Sequence, residues 1–231
     1  VVVRSRVDGP LLKVHFREGQ RVKVGELLAE IDPQPFKVQL DQMNGQMRRD
    51  QALLQNAMID LDRYKALLAT DSIARQQVDT QEATVRQYQG VVAADMGQVD
   101  AARLQLSYTR ITAPLAGQIG LRLVDPGNMV RAGDANGIVT ITQMDPITVV
   151  FAIPENQVAP VLARVRGGVE IAVEAWDAGQ KARLAQGRLL STDNQIDVAT
   201  GTLKLKAEFA NKDGALFPNQ FVNVRVLLGR E

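Results

Sequence analysis

The residues able to do chemistry are few and scattered. His15 is the only histidine and the chain has no cysteine. A histidine-rich metal site, a disulfide and a cysteine nucleophile therefore cannot be built. His15 lies in a β-type run and reads as an ordinary strand residue. Asp193 and Asp197, with Asp177 nearby, are the obvious carboxylates for acid–base work. They sit in "TDNQIDVATGT", a string of turn formers, and read as a hairpin loop. Met43, Met47 and Met58 offer thioethers that suit a soft metal such as Cu(I). Met43 and Met47 fall on a heptad seam, where packing is the simpler use. No GxxxxGK[ST] phosphate loop is present. None of these groups is expected to form a catalytic or metal-binding site.

Bulk properties agree with a folded protein that has no nucleic-acid partner. Hydrophobic residues make up 45% of the 231 residues, and 27 basic against 26 acidic residues leave a net charge of +1. Nucleic-acid binding would want Lys and Arg clustered on one face. Aromatics are only 4%, which suits small or thin domains better than one deep core. The longest strongly apolar run, "ITVVFAI" (Ile147–Ile153), is far short of the roughly 20 residues of a membrane span. The sequence starts inside a repeating motif, and both ends are expected to be trimmed.

The elements that must position any functional surface fall into three kinds. The first is a split repeat. "VDGPLLKVHFREGQRVKVGELLAEI" from Val7 and "LAGQIGLRLVDPGNMVRAGDANGIVTI" from Leu115 share glycine spacing: Gly9, Gly19 and Gly25 against Gly117, Gly127 and Gly133. Val22 and Val130 match, as do Ile31 and Ile141. Each glycine is expected to be a turn position with φ > 0. Neither copy can hold a core alone, so the two are expected to pack face to face in one small β-sandwich.

The second kind lies between the copies. Pro35 and Pro114 bracket 78 residues without proline. Leu40, Met47, Leu54, Leu61 and Leu68 recur every seven residues, with Phe36, Met43, Ala57 and Tyr64 on the second seam and Asp50 breaking it. Val78, Val85, Val92, Val99 and Leu106 recur likewise, with Tyr88 and Ala102 beside them and Asp95 as the interruption. Sustained heptads predict a coiled coil. Gly45, Gly90 and Gly97 weaken it locally. The seam turns over near Leu67–Gln77, where Thr70, Asp71 and Ser72 supply cap and turn chemistry. The pattern predicts an antiparallel hairpin with arms of about 50 Å at 1.5 Å per residue.

The third kind is β-rich. Strands are expected at Ile147–Ile153, Val169–Trp176, Ala182–Ser191, Thr202–Phe209 and Gln220–Leu228, with a short helix over Glu155–Val165 after Pro154. That spacing suggests a small antiparallel β-barrel. The expected fold is thus an elongated multi-domain α+β chain. Residues 1–33 and 110–142 are the two halves of a β-sandwich, 34–109 the coiled-coil hairpin with its tip at about 68–75, and 143–231 the barrel.

The first repeat resembles half of a biotinyl or lipoyl carrier domain, in which a lysine on the next turn carries the cofactor. Here that turn is Pro33-Gln34-Pro35. Lys37 already lies in the helical arm and Lys23 between two glycine turns, so no attached cofactor is expected. A lipoyl-like domain split by a coiled-coil hairpin and followed by a barrel resembles the periplasmic adaptors, or membrane fusion proteins, of Gram-negative tripartite efflux pumps. The segments that carry the resemblance are Val7–Phe36, "RITAPLAGQIGLRLVDPGNMVRAGD" (Arg110–Asp134) and "DNQIDVATGTLKLKAEFANKDGALFPNQFVNVRV" (Asp193–Val226). The match is nearest to adaptors of resistance-nodulation-division (RND) multidrug transporters. Many members read PGMFV where this chain has Pro218-Asn219-Gln220-Phe221-Val222.

The resemblance implies a non-enzymatic periplasmic adaptor, held at the inner membrane by parts outside this chain. It would link an inner-membrane RND transporter to a TolC-type outer-membrane channel and self-associate in a hexameric ring. The family's membrane-proximal domain would also lie outside. At the hairpin tip the family often carries an Arg, a Leu four residues later and a Ser eleven after the Arg. The matching positions are Arg63, Leu67 and Ala74, so the third has lost its hydroxyl. Adaptors of ABC-type or heavy-metal exporters, and more distantly a lipoyl or biotinyl carrier, are the rival readings.

Overall fold

The computed structural model describes residues 1–228. The repeat is visible in it strand by strand. The first copy forms β1 (Val2–Val3), β2 (Gly9–Val14), β3 (Arg21–Val22) and β4 (Leu27–Ile31). The second forms β5 (Arg110–Thr112), β6 (Gly117–Arg122), β7 (Met129–Val130) and β8 (Val139–Thr142). Two four-stranded sheets result, ordered β1-β8-β6-β3 and β5-β4-β2-β7. Each copy lends its short third strand to the other: Gly9 pairs with Val130, and Val22 with Gly117. Neither half can close its sheet without its counterpart. The core is correspondingly symmetric, with Leu11, Val22 and Ile31 packed with Ile119, Val130 and Ile141.

The glycines have more than one role. Gly19, Gly25 and Gly127 take positive φ (78°, 80° and 92°), as expected of turns. Gly9 and Gly117 do not. They are strand residues at close approaches: a Cβ on Gly9 would lie 2.6 Å from the Ile31 side chain, and one on Gly117 would collide with the Thr142 carbonyl. Gly133 has neither a positive φ nor a neighbour within 4 Å.

Between the copies run α1 (Gln34–Leu68) and α2 (Arg75–Ser107), antiparallel. Asp32 Oδ1 accepts from Gln34 N at 3.0 Å and so satisfies a first-turn donor of α1. The seam positions face inward: Ala57, Val78, Val85, Val99 and Ala102 are buried, with Leu40, Met43, Met47, Leu54 and Leu61 half-buried. Tyr64 is exposed, although Leu61 and Leu68 on either side of it remain half-buried. Asp50 and Asp95, read from periodicity as breaks in the packing, are buried within it.

The C-terminal part holds one five-stranded antiparallel sheet, ordered β13-β10-β11-β12-β9, made of β9 (Ile147–Pro154), β10 (Ala172–Trp176), β11 (Arg183–Asp197), β12 (Thr202–Phe209) and β13 (Asn223–Leu227). Its end strands line one groove of about 330 Å³, with Phe151 and Ile153 on one side and Val224 and Val226 on the other. No ladder joins them among the described residues, so the sheet is an open, half-closed barrel. A 3₁₀ turn (Glu155–Gln157) leads into α3 (Val158–Arg166), whose Val158 and Val161 fill one end of the core beside Ile171, Leu203 and Leu205.

β11 is longer than its composition suggests. The expected loop over Thr192–Gly201 is mostly strand, since Ile196 pairs with Leu203 and Asp197 with Thr202 across a register shift. Only the tip turns, with Gly201 at φ +61° and Asp197 Oδ1 accepting from Ala199 N at 3.0 Å.

Candidate interaction site at the hairpin tip

The tip is built from backbone satisfaction. α1 ends at Leu68 because the chain turns through Asp71, which takes φ +52°. The Leu67 carbonyl then accepts three donors: Thr70 N at 3.2 Å, Ser72 N at 3.0 Å and Thr70 Oγ1 at 2.9 Å. The Thr70 and Ser72 hydroxyls touch at 2.9 Å. Thr70, Asp71 and Ser72 thus serve the turn and the end of α1. The N-cap of α2 is Ala74, in extended conformation and without a side-chain cap. Below the turn, Lys65 Nζ lies 3.0 Å from Glu82 Oε1 and Gln81 Nε2 donates to the Ala57 carbonyl at 2.8 Å. These contacts tie the two arms together beneath the tip.

Arg63 and Leu67 are one helical turn apart and share a face. The Arg63 side chain is 71% exposed and its guanidinium pairs with Asp60 at 3.1 Å. Leu67 is 43% exposed. Ala74, across the turn, is exposed and offers a methyl group alone. Periodicity placed Tyr64 on the seam; its exposure adds an aromatic to this end of the hairpin. Nothing in the heptad pattern, which continues through Leu61 and Leu68, marked that exposure.

The other chemically capable residues are occupied elsewhere. His15 Nε2 lies 3.6 Å from Glu30 at the surface of the repeat domain. Asp177 Oδ1 accepts from Lys181 N (2.7 Å) and Ala182 N (3.2 Å), and Asp193 Oδ1 from Asn194 N (2.8 Å), so these carboxylates hold local backbone and do not converge. On the barrel, Glu174 accepts from Arg183 Nη1 at 2.8 Å and Trp176 Nε1 at 3.0 Å, and both bonds hold its carboxyl below the usual range. Arg225 stacks 4.1 Å above the Trp176 ring. Pro33 to Pro35, where a carrier would present its lysine, is the start of α1.

Two family profiles account for the fold in sequence order. "RND MFP, barrel-sandwich hybrid domain" matches residues 1–142, and "RND MFPs, beta-barrel domain" matches residues 146–230. The chain belongs to the RND membrane fusion protein family. Among its relatives, the multidrug resistance protein MdtA of Pectobacterium atrosepticum is 56% identical over 98% of this chain and 55% of its own length. MdtA of Klebsiella pneumoniae is 54% identical over 99% of this chain and 55% of its own length. The chain therefore spans about half the length of these curated relatives. Solved structures share the fold at low identity. The membrane fusion protein Spr0693 of Streptococcus pneumoniae superposes with a TM-score of 0.67 at 13% identity, covering 98% of this chain and 96% of that one. A MacA–MexA chimera containing the Pseudomonas aeruginosa MexA α-hairpin gives 0.55 at 23% identity, covering 94% and 72%. Among the described residues no helix is long and apolar enough to cross a membrane.

Proposed function

We propose that the protein is a non-enzymatic periplasmic adaptor that links an inner-membrane RND multidrug transporter to a TolC-type outer-membrane channel. The observation that carries this reading is the hairpin itself. Helices of 35 and 33 residues project about 50 Å from a domain closed only when both repeat halves meet. Such an element spans distance and presents its tip; it encloses no reaction site. The family assignment and the MdtA relatives supply the drug-efflux setting.

In this reading the chain divides into a lipoyl-like domain (1–33 with 110–142), a hairpin (34–109, tip about 68–75) and a barrel domain (143–231). The barrel docks on the transporter, and the lipoyl-like domains pack side by side in a hexameric ring. Arg63 and Leu67 meet the channel, and Ala74 contributes no hydrogen bond there. The affinity is spread over many modest contacts. The adaptor sits in the periplasm, attached to the inner membrane through parts outside this chain, and carries no cofactor.

The test is genetic. Deleting the gene in an efflux-competent strain should raise susceptibility to bile salts and to several antibiotics, and the full-length gene should restore resistance. Unchanged susceptibility, even when expression of the pump genes is induced, contradicts the proposal.

A further inference from the structure

The middle of the hairpin is built differently from its ends. Asp50 of α1 and Asp95 of α2, each 3% exposed, are buried at one level of the seam, where Gln46 of α1 reaches Asp95. Arg49 closes on Asp50 with Nε–Oδ1 at 2.8 Å and Nη2–Oδ2 at 3.0 Å. Gln46 Nε2 donates to Asp95 Oδ1 at 3.1 Å. Asp95 Oδ2 is buried with no hydrogen-bond partner. A buried carboxylate oxygen without a donor is costly, and both Arg49 hydrogen bonds go to Asp50. Toward the tip the seam is closed by Ala57, Val78 and Val85, and toward the base by Val99 and Ala102.

Three helix-interior glycines bracket this layer: Gly45 on α1, and Gly90 and Gly97 on α2. An added Cβ would meet nothing within 4 Å at any of them, and none has a positive φ. Neither space nor backbone geometry calls for glycine, while helix propensity disfavours it. A buried polar layer often fixes the alignment of a coiled coil. Here the short turn between Leu68 and Arg75 already fixes it. What the layer and the glycines do together is lower the local stability of both arms at one level.

We propose that this level is a compliant joint, where the tip half of the hairpin tilts against the base half. Opening the joint hydrates Asp95 Oδ2 and so offsets part of the packing lost. Resting on the adaptor reading, the joint lets the tip seat on its outer-membrane partner while the base follows the transporter.

Hydrogen exchange on the full chain tests the joint itself. Backbone protection over residues 45–52 and 90–97 should be at least ~10-fold lower than over 54–61 and 78–85, which lie in the same helices. The variant Gly45→Ala/Gly90→Ala/Gly97→Ala should keep its helix content and raise that protection by ~10-fold or more. Expressed at wild-type abundance in the deletion strain, it should restore less resistance than the parent. An alanine triple at the exposed positions Gln42, Gln51 and Gln89 should restore resistance fully. Uniform protection along both helices overturns the proposal, and so does full resistance from the stiffened variant. If the deletion itself has no phenotype, the adaptor reading fails, and the exchange profile still decides whether the joint exists.

Discussion

Asn211 is the most constrained polar side chain in the barrel domain. It is 1% exposed. Its Nδ2 donates to the Met144 carbonyl at 3.0 Å and the Leu216 carbonyl at 2.8 Å, and its Oδ1 accepts from Leu216 N at 2.9 Å. It thereby ties the segment leading into β9 to the loop between β12 and β13. Asn211→Ala leaves two carbonyls and one N–H without these partners in a water-poor site. Each bare buried group costs about 1–3 kcal/mol, and relaxation or water admission recovers part, so the net loss should be about 2–4 kcal/mol. For a domain of this size that lowers the melting midpoint by about 10–25 °C. The assay separates the domains. Trp176 is the single tryptophan and lies in β10 of this sheet, so its fluorescence reports the barrel, while ellipticity at 222 nm reports the hairpin. The fluorescence midpoint should fall by about 10 °C or more while the helical midpoint holds. Asn211→Asp, which keeps the shape and replaces the donor by a charge, should fall at least as far. A fluorescence midpoint within about 3 °C of wild type in both variants would refute the reasoning.

Further predictions concern the repeat, the hairpin and the tip. Gly117→Ala drives a Cβ into the Thr142 carbonyl and should cost about 1–3 kcal/mol in denaturant unfolding, whereas Gly133→Ala should change stability by less than about 0.5 kcal/mol. The Arg49 hydrogen bonds hold the Asp50 carboxyl below its ordinary range against the opposing effect of burial. A depressed folded-state value contributes stability above about pH 4 and loses it as pH falls further. The helical midpoint should therefore be level from about pH 8 to 5 and decline below about 4, with a shallower decline in Arg49→Ala. Arg63→Asp places a second carboxylate beside Asp60 and reverses the charge of the tip face. It should leave helix content intact and reduce cross-linking to the outer-membrane channel several-fold, with a matching loss of resistance.

Long periodic elements were easier to read from the sequence than short or paired ones. Val78, Val85 and Val99 announce the seam because a seven-residue apolar period, held along the whole arm, fits a helix packed against a second helix and does not fit a strand. Asp50 and Asp95 looked like two separate interruptions. Periodicity within one helix cannot say which residue of the other arm a polar side chain meets, so their convergence emerged only in three dimensions. β1 and β5 are two and three residues long, too short for any alternation to register, yet they complete the symmetry of the repeat. The turn-forming string around Asp193 concealed the far end of β11, because pairing of Ile196 and Asp197 with β12 overrides local preference. At the tip, Arg63 and Leu67 are marked by resemblance alone. Their exposure on one face follows from helix geometry, whereas the exposure of Tyr64 runs against its place in the heptad pattern.

The central claim, that the hairpin tip meets an outer-membrane channel, is tested most directly by site-specific photocross-linking in cells. A photoreactive residue in place of Leu67 should give an adduct with the channel protein. The same residue in place of Val38, exposed near the base of α1, should give none. No adduct from position 67, or equal adducts from both positions, would contradict the account.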